Sequence, residues 1–293
     1  MDDVKQNSVR AWVLAARPKT LTGAVIPVLI GTALAWSDGR FGLWQALICL
    51  AFAMLMQIAA NFINDLYDYL RGTDGADRLG PQRACAQGWI SPDRMKAGIV
   101  VTIALACGLG CLILYFSSPI LILVGLACVI FAFLYTTLLS YLGLGDLLVL
   151  VFFGLVPVCG TYYVQAGLVT GDAVVASLCS GVVIDLLLIV NNYRDRDTDC
   201  AAGKVTLIAK WGEKFGRYDY LITGLVAWAL TLILLVHGRV WACVLPLFFI
   251  PVHVSTWREM SVIRHGKALN RVLGLTSRNM LFYGLLLAVG LIL

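Results

Sequence analysis

The sequence predicts an all-α polytopic membrane bundle of nine transmembrane helices around a central cavity, its polar loops forming a cytoplasmic cap. Three observations lead there. Hydrophobic residues make up 60% of the 293 positions and charged residues 13%, against about 45–50% and ~25% in soluble domains. Nine stretches are apolar over close to the ~20 residues that a helix needs to cross the hydrocarbon core. The basic residues fall almost entirely on alternate connections between those stretches. A mean hydropathy of +0.86 excludes a soluble globular enzyme, a disordered chain and a fibrous repeat.

The nine expected spans are residues 20–37, 42–66, 97–116, 119–139, 145–167, 172–192, 218–237, 240–257 and 275–293. Short connections follow the odd-numbered spans: Asp38 to Phe41, Ser117 and Ser118, Leu168 to Gly171, and His237 to Arg239. Long polar connections follow the even-numbered ones, except for the brief Ser140 to Leu144. Of the 22 Lys and Arg residues, only Arg40 and Arg239 fall in the short connections. Nine spans put the other 20 on one face, and the positive-inside rule makes that face cytoplasmic. The expected location is the inner (plasma) membrane, with the N-terminus and polar loops cytoplasmic and the C-terminus external. The net charge of +5 follows from this topology and from loops facing anionic headgroups. It calls for neither a nucleic acid nor an acidic protein partner, and no obligate protein partner is expected.

Asp2, Asp3, Lys5 and Arg10 precede any long apolar run, unlike a cleavable signal peptide. The nine cysteines are an odd number, mostly in apolar runs and without metal-ligand spacing. They read as small core-filling thiols.

Two acidic clusters carry the functional information. The first closes the second span: Asn61, Asn64, Asp65 and Asp68, followed by Arg71, Asp74, Asp77, Arg78 and Arg83. The second closes the sixth span: Asn191, Arg194, Asp195, Asp197 and Asp199, followed by Lys204. Residues four apart share a helix face, so Asn64 stacks on Asp68, and Asn191, Asp195 and Asp199 form a stripe. Such stacking is repulsive, and a helix C-terminus disfavours negative charge further. A neutralising cation is the economical explanation. Carboxylates with Asn amides are an all-oxygen donor set that suits Mg²⁺ or Ca²⁺ rather than zinc or copper. The interleaved Arg71, Arg78, Arg83, Arg194 and Lys204 suit a phosphate clamp. Together they predict a Mg²⁺-diphosphate site at the cytoplasmic surface. Each cluster ends the second helix of a four-span block, which suggests a pseudo-repeat of 18–140 and 141–257, with 275–293 as an added helix in one membrane domain spanning 1–293.

The sequence resembles the UbiA superfamily of intramembrane prenyltransferases along nearly its whole length. Asn64 and Asp68 with Asp74 downstream, and Asp195 with Asp199, look like the two aspartate-rich motifs of that superfamily. Arg17-Pro18-Lys19-Thr20 looks like its entry to the first helix. The run Gly72 to Arg83, Gly143 to Asp146, Gly154 to Tyr163, Lys204 to Leu207, and Leu269 to Asn279 resemble the menaquinone-making branch. The resemblance implies Mg²⁺-dependent transfer of a polyprenyl group from polyprenyl diphosphate to 1,4-dihydroxy-2-naphthoate, with loss of the carboxylate, giving demethylmenaquinone. It implies that Asn64, Asp68, Asp195 and Asp199 hold the metal and carry the catalysis. Relatives that prenylate 4-hydroxybenzoate place an Asp eight residues after the first motif's Asn. Here that position is Gly72 and the Asp is Asp74.

The same chemistry gives the remaining candidates. An allylic cation must be kept from water, and Tyr67, Tyr135, Tyr141, Tyr162 and Tyr163 offer π faces to it, with Tyr135 and Tyr163 taken as substrate-binding. Lys19, Arg17 and Asn191 are candidates for the acceptor's carboxylate and hydroxyls. Asp185 in mid-span is expensive unless functional or protonated. Asp146 stays open, and the scattered His237, His253 and His265 argue against a His metal site. The rivals are prenylation of 4-hydroxybenzoate, homogentisate or haem, a phosphatidyl-alcohol transferase, and a secondary transporter. A transporter would put its acids near the midplane at broken helices. These clusters sit at span ends, separated by the 127 positions from Asn64 to Asn191.

Overall fold

The computed structural model describes residues 4–72, 78–201 and 203–293, and among them there is no strand. Twelve α-helices run in order: α1 Val9–Ala16, α2 Thr22–Ser37, α3 Leu43–Leu70, α4 Pro92–Phe116, α5 Leu121–Leu134, α6 Gly145–Val149, α7 Val156–Ala166, α8 Gly171–Ala201, α9 Leu207–Thr231, α10 Trp241–Val244, α11 Phe249–Ile263 and α12 Leu269–Ile292. π-Helical turns extend α5 through Tyr135–Leu139 and join α6 to α7 through Leu150–Leu155. Among the described residues seven helical segments are long and apolar enough to cross a bilayer. There are eight if Val9–Thr20 and Thr22–Ser37, bent by 51°, form one broken span.

The expected count of nine thus meets seven or eight here. The segment expected at 240–257 is helical from Trp241 to Ile263, but in three pieces around the 3-10 turn Leu245–Phe248. Pro246 sits in that turn and has no backbone N–H to donate. Helix ends also overrun the apolar runs. α8 continues past 192 to Ala201, and α9 starts at Leu207 rather than at 218.

α8 is the central helix, packed against α2, α6, α7, α9 and α12. In lipid, helices associate by close packing and small residues. At Gly154 an added Cβ would stand 2.5 Å from the Ser177 carbonyl, and at Gly181 it would meet the Leu150 backbone at 3.0 Å. Those glycines let the π-helical segment lie directly on α8, where Ser180 Oγ donates to the Phe153 carbonyl at 3.0 Å. α5, by contrast, has no buried residue and forms the outer wall of the cavity described below.

One end of the bundle is tied by ions. Arg239 donates to Asp38 at 2.7 Å and to Asp172, His237 pairs with Asp172, and Tyr162 donates to Asp38 at 2.6 Å. Burial pulls the Arg239 pKa down, but hydrogen bonds and charge from Asp172 and Asp38 outweigh it and hold it above the usual guanidinium range. This accounts for one of the two basic residues on the otherwise base-poor face: Arg239 is there as the partner of two carboxylates.

Candidate active site

The opposite end of the bundle holds both acidic clusters. Helical spacing splits the first into two rows. Asn61 and Asp65 are buried and tie neighbouring segments together, and Asn61 also borders the central cavity. Asn61 Nδ2 donates to the Ala16 carbonyl and to Thr20 Oγ1, both at 2.9 Å. Asp65 accepts the backbone N–H groups of Ala84 and Cys85, each at 2.8 Å. The first row therefore anchors the bend before α2 and the turn after the 78–83 loop. Asn64 and Asp68, one step around the helix, form the other row. Asn64 lines the central cavity and accepts a hydrogen bond from Thr136 in the π-helical turn. Asp68 accepts from Arg83 at 2.7 Å.

On α8, Asn191 lines the cavity while its amide donates to the Leu187 carbonyl at 2.9 Å. Asp195 takes a bidentate pair from Arg194, at 2.8 and 2.6 Å. Lys204 reaches Asp199 Oδ1 at 3.5 Å, and Asp199 Oδ2 is buried without a hydrogen-bond partner among the described residues. Lys204 stands between the clusters and attracts both Asp68 and Asp199. It is held there by a tight contact of loops. Gly143 has φ +74, its added Cβ would lie 2.2 Å from the Val205 carbonyl, and Val205 N donates to the Tyr141 carbonyl at 3.1 Å. Only glycine meets both demands.

The expected repulsion between stacked acids is relieved inside the protein. Asp65 has backbone donors, Asp68 has Arg83, Asp195 has Arg194 and Asp199 has Lys204. Among the described residues no three His, Cys, Asp or Glu side chains converge as a ready metal cage. The fit to Mg²⁺ rests instead on an all-oxygen donor set and on the orphaned, buried Asp199 Oδ2. Mg²⁺ takes only one or two carboxylates and completes its shell with water and substrate phosphate. That donor set fits.

The other candidates separate clearly. Lys19 and Arg17 line the cavity beside Asn64 and Asn191. Arg17 has φ 51 as the left-handed cap that ends α1, its backbone N–H donating to the Leu14 carbonyl. Arg194 is 3% exposed and also donates to Asn270 Oδ1 at 2.9 Å. Asn270 Nδ2 in turn donates to the Leu79 carbonyl at 2.8 Å. Arg78 Nε donates to the Pro81 carbonyl at 3.0 Å. Arg71 turns away from the cavity. It donates to the Thr136 and Thr137 carbonyls and lies over the Tyr141 ring at 4.8 Å. Asp74 and Asp77 lie outside the described residues. Of the five tyrosines, only Tyr135 lines the cavity. Tyr67 packs edge-on against Phe133, Tyr162 binds Asp38 at the far end, and Tyr163 neighbours it on α7 without reaching the cavity. Asp185 is likewise absent from the cavity wall, and Asp146 lines a small void with Tyr135 and Lys204.

The cavity measures about 710 Å³. Its motif end is polar. Away from the motifs its wall is apolar, with Phe131, Phe152 and Phe153 among the lining side chains and the Phe131 and Phe152 rings 5.0 Å apart. Asn270 escaped the sequence reading as a site residue. The Leu269 to Asn279 run that carries part of the family resemblance includes it, but its role depends on partners 76 and 191 positions away.

Comparison with known proteins matches this arrangement. Residues 24–291 match the UbiA prenyltransferase family. The chain is 36% identical to a 1,4-dihydroxy-2-naphthoate octaprenyltransferase of Mycobacterium tuberculosis, over 96% of both chains. It is 37% identical to the enzyme of that name from Escherichia coli, over 74% of this chain and 73% of the other. In fold it is similar to a UbiA homolog from Aeropyrum pernix, with a TM-score of 0.73 at 18% identity, covering 93% of this chain and 98% of that one. A UbiA homolog from Archaeoglobus fulgidus bound to DMAPP and Mg²⁺ gives a TM-score of 0.59 at 14% identity, covering 95% and 99%.

Proposed function

The chain belongs to the UbiA prenyltransferase family, and from that premise we propose that this integral membrane transferase moves a polyprenyl group from its diphosphate to 1,4-dihydroxy-2-naphthoate. The observation that carries the reading is the pairing of two carboxylate motifs, each with its own base, at the polar end of one apolar cavity. The acceptor is taken from the relatives, several of which are named as 1,4-dihydroxy-2-naphthoate octaprenyltransferases. The metal is taken from the donor set and from the Archaeoglobus homolog described with Mg²⁺ and a prenyl diphosphate.

Bound Mg²⁺ supplies Lewis-acid neutralisation of the diphosphate as its bond to the prenyl C1 breaks. Asp68, Asp195 and Asp199, with Asn64, are the residues that would hold it. Arg83, Arg194 and Lys204, now on those carboxylates, would stabilise the leaving group's charge. Tyr135 and the phenylalanine wall exclude water from the allylic cation. Arg17, Lys19 and Asn191 orient the naphthoate's carboxylate and hydroxyls. The ring carbon bearing the carboxylate attacks C1. The bond to the carboxyl group then breaks, CO₂ leaves, and its electron pair restores the aromatic ring. The direct product is the prenylated naphthalenediol, whose oxidation gives demethylmenaquinone.

Purified protein in lipid nanodiscs, given octaprenyl diphosphate, Mg²⁺ and carboxyl-labelled naphthoate, is expected to release labelled CO₂ in equal amount to prenylated product. Prenylated product that keeps its label would overturn the loss of CO₂, and transfer to 4-hydroxybenzoate alone would overturn the acceptor.

The segregation of basic residues supports nine crossings, with Trp241–Ile263 as one of them, and a cytoplasmic active site in the inner membrane. In a background lacking the nine native cysteines, a cysteine at Arg264 is expected to react with an impermeant thiol reagent only from the cytoplasmic side. One beside Arg239 is expected to react only from outside. The opposite accessibility would refute the topology.

A further inference from the structure

The cavity extends well past the polar mouth. Asn64 and Cys49 both line it and stand about 22 Å apart along α3, at 1.5 Å per residue. Three glycines from three different helices line its deeper half: Gly110 on α4, Gly125 on α5 and Gly160 on α7. Glycine weakens a helix interior relative to alanine, so each calls for a reason. None of the three has positive φ, so backbone conformation does not require them. Close helix packing does not require them either. An added Cβ meets nothing within 4 Å at Gly125 or Gly160, and at Gly110 it meets only Phe52, at an ordinary 3.8 Å. Gly154 and Gly181 show what a packing glycine looks like in this bundle, with backbone at 2.5 and 3.0 Å from the added atom. What the missing side chains leave at Gly110, Gly125 and Gly160 is space inside the cavity.

We propose that Gly110, Gly125 and Gly160 determine the length of prenyl tail the cavity accepts. This rests on the cavity being the seat of a prenyl diphosphate. With the head group at the motifs, the tail runs along the apolar wall, away from Asp68 and Asp199. The first isoprene units lie short of these glycines and later units must pass them. A side chain there obstructs long tails and spares short ones. Gly108 on α4 provides the control. It too has nothing within 4 Å of an added Cβ, but it is exposed on the lipid side and does not line the cavity.

The test compares Gly125→Leu, Gly160→Leu and Gly108→Leu with the parent protein, adding Gly125→Ala and Gly160→Ala, which the open space admits without contact. Equilibrium binding of geranyl, geranylgeranyl and octaprenyl diphosphates with Mg²⁺ is measured without acceptor, followed by turnover. The two cavity Leu variants are expected to bind geranyl diphosphate within about two-fold of the parent. They are expected to lose at least about ten-fold for octaprenyl diphosphate, with the Ala variants between and Gly108→Leu unchanged at every length. Equal binding at all lengths would overturn the proposal. So would a loss that is the same for all lengths, because that marks a structural role. If the parent binds the diphosphates but leaves the naphthoate unprenylated, the acceptor assignment fails and this inference stands. If it binds no prenyl diphosphate, both fail.

Discussion

Asp68→Asn and Asp199→Asn are each expected to lower kcat by about 10³-fold or more, the scale of removing a principal electrostatic contact to a leaving group. The substitution keeps the side chain's volume and an amide oxygen but removes the charge. Asp68 and Asp199 stand one on each motif, both under the influence of Lys204, so either change unbalances the same mouth. A loss of this kind belongs to the transition state and falls on kcat. The change at Asp65, one helical step away, is expected to do something different. Its two oxygens accept from Ala84 N and Cys85 N, and an amide can satisfy only one of them. Asp65→Asn is therefore expected to cost roughly 1–3 kcal/mol of stability, read as an earlier thermal transition in detergent, with a much smaller loss of kcat at low temperature. Normal turnover in either Asp68→Asn or Asp199→Asn with Mg²⁺ present would refute the two-motif site. Steady-state kinetics beside thermal melts separates the two behaviours.

The bundle was legible because apolar runs of bilayer length need no tertiary information to be recognised. Its details were less so. α8 and α9 continue as helices into charged sequence, where a hydropathy criterion stops although the backbone hydrogen bonds do not. The piece from Trp241 to Ile263 breaks at a proline inside an apolar run, and the π-helical turns at Tyr135–Leu139 and Leu150–Leu155 meet distant partners, Arg71 at the first and Ser180 at the second. Within the site, four-residue spacing identified Asn64, which lines the cavity, and Asp68, which pairs with Arg83 one turn further along α3. It could not distinguish them from Asn61 and Asp65, whose partners come from the bend before α2 and the turn at Ala84. Charge pattern marked Arg71 and Arg83 alike. Only the fold turns Arg83 onto Asp68 and Arg71 onto the Thr136 carbonyl. Five tyrosines offered the same chemistry, and their places along the helices left Tyr135 alone in the wall.

Asn270→Ala is expected to weaken the enzyme's apparent affinity for Mg²⁺ by about 10–100-fold, although Asn270 is not expected to touch the metal. Residues that orient metal ligands typically have effects of that size. Asn270 links three parts of the site: its Oδ1 accepts from Arg194, its Nδ2 donates to the Leu79 carbonyl, and it stands on α12. Arg194 is buried and grips Asp195 with two hydrogen bonds, so the position of Asn270 sets the position of that carboxylate. The same amide fixes the 78–83 loop, which carries Arg83 to Asp68. An alanine there leaves Arg194 Nη1 without its acceptor and frees the loop, so Asp68 and Asp195 both lose their fixed places. Displacements of about 1 Å in such groups can cost around 10²-fold in rate. Because the carboxylates themselves remain, high Mg²⁺ should recover a large part of kcat, which it cannot do for Asp199→Asn. Titrating Mg²⁺ against initial rate in the two variants separates positioning from ligation. An unchanged Mg²⁺ dependence in Asn270→Ala would show that Arg194 holds Asp195 without help from α12.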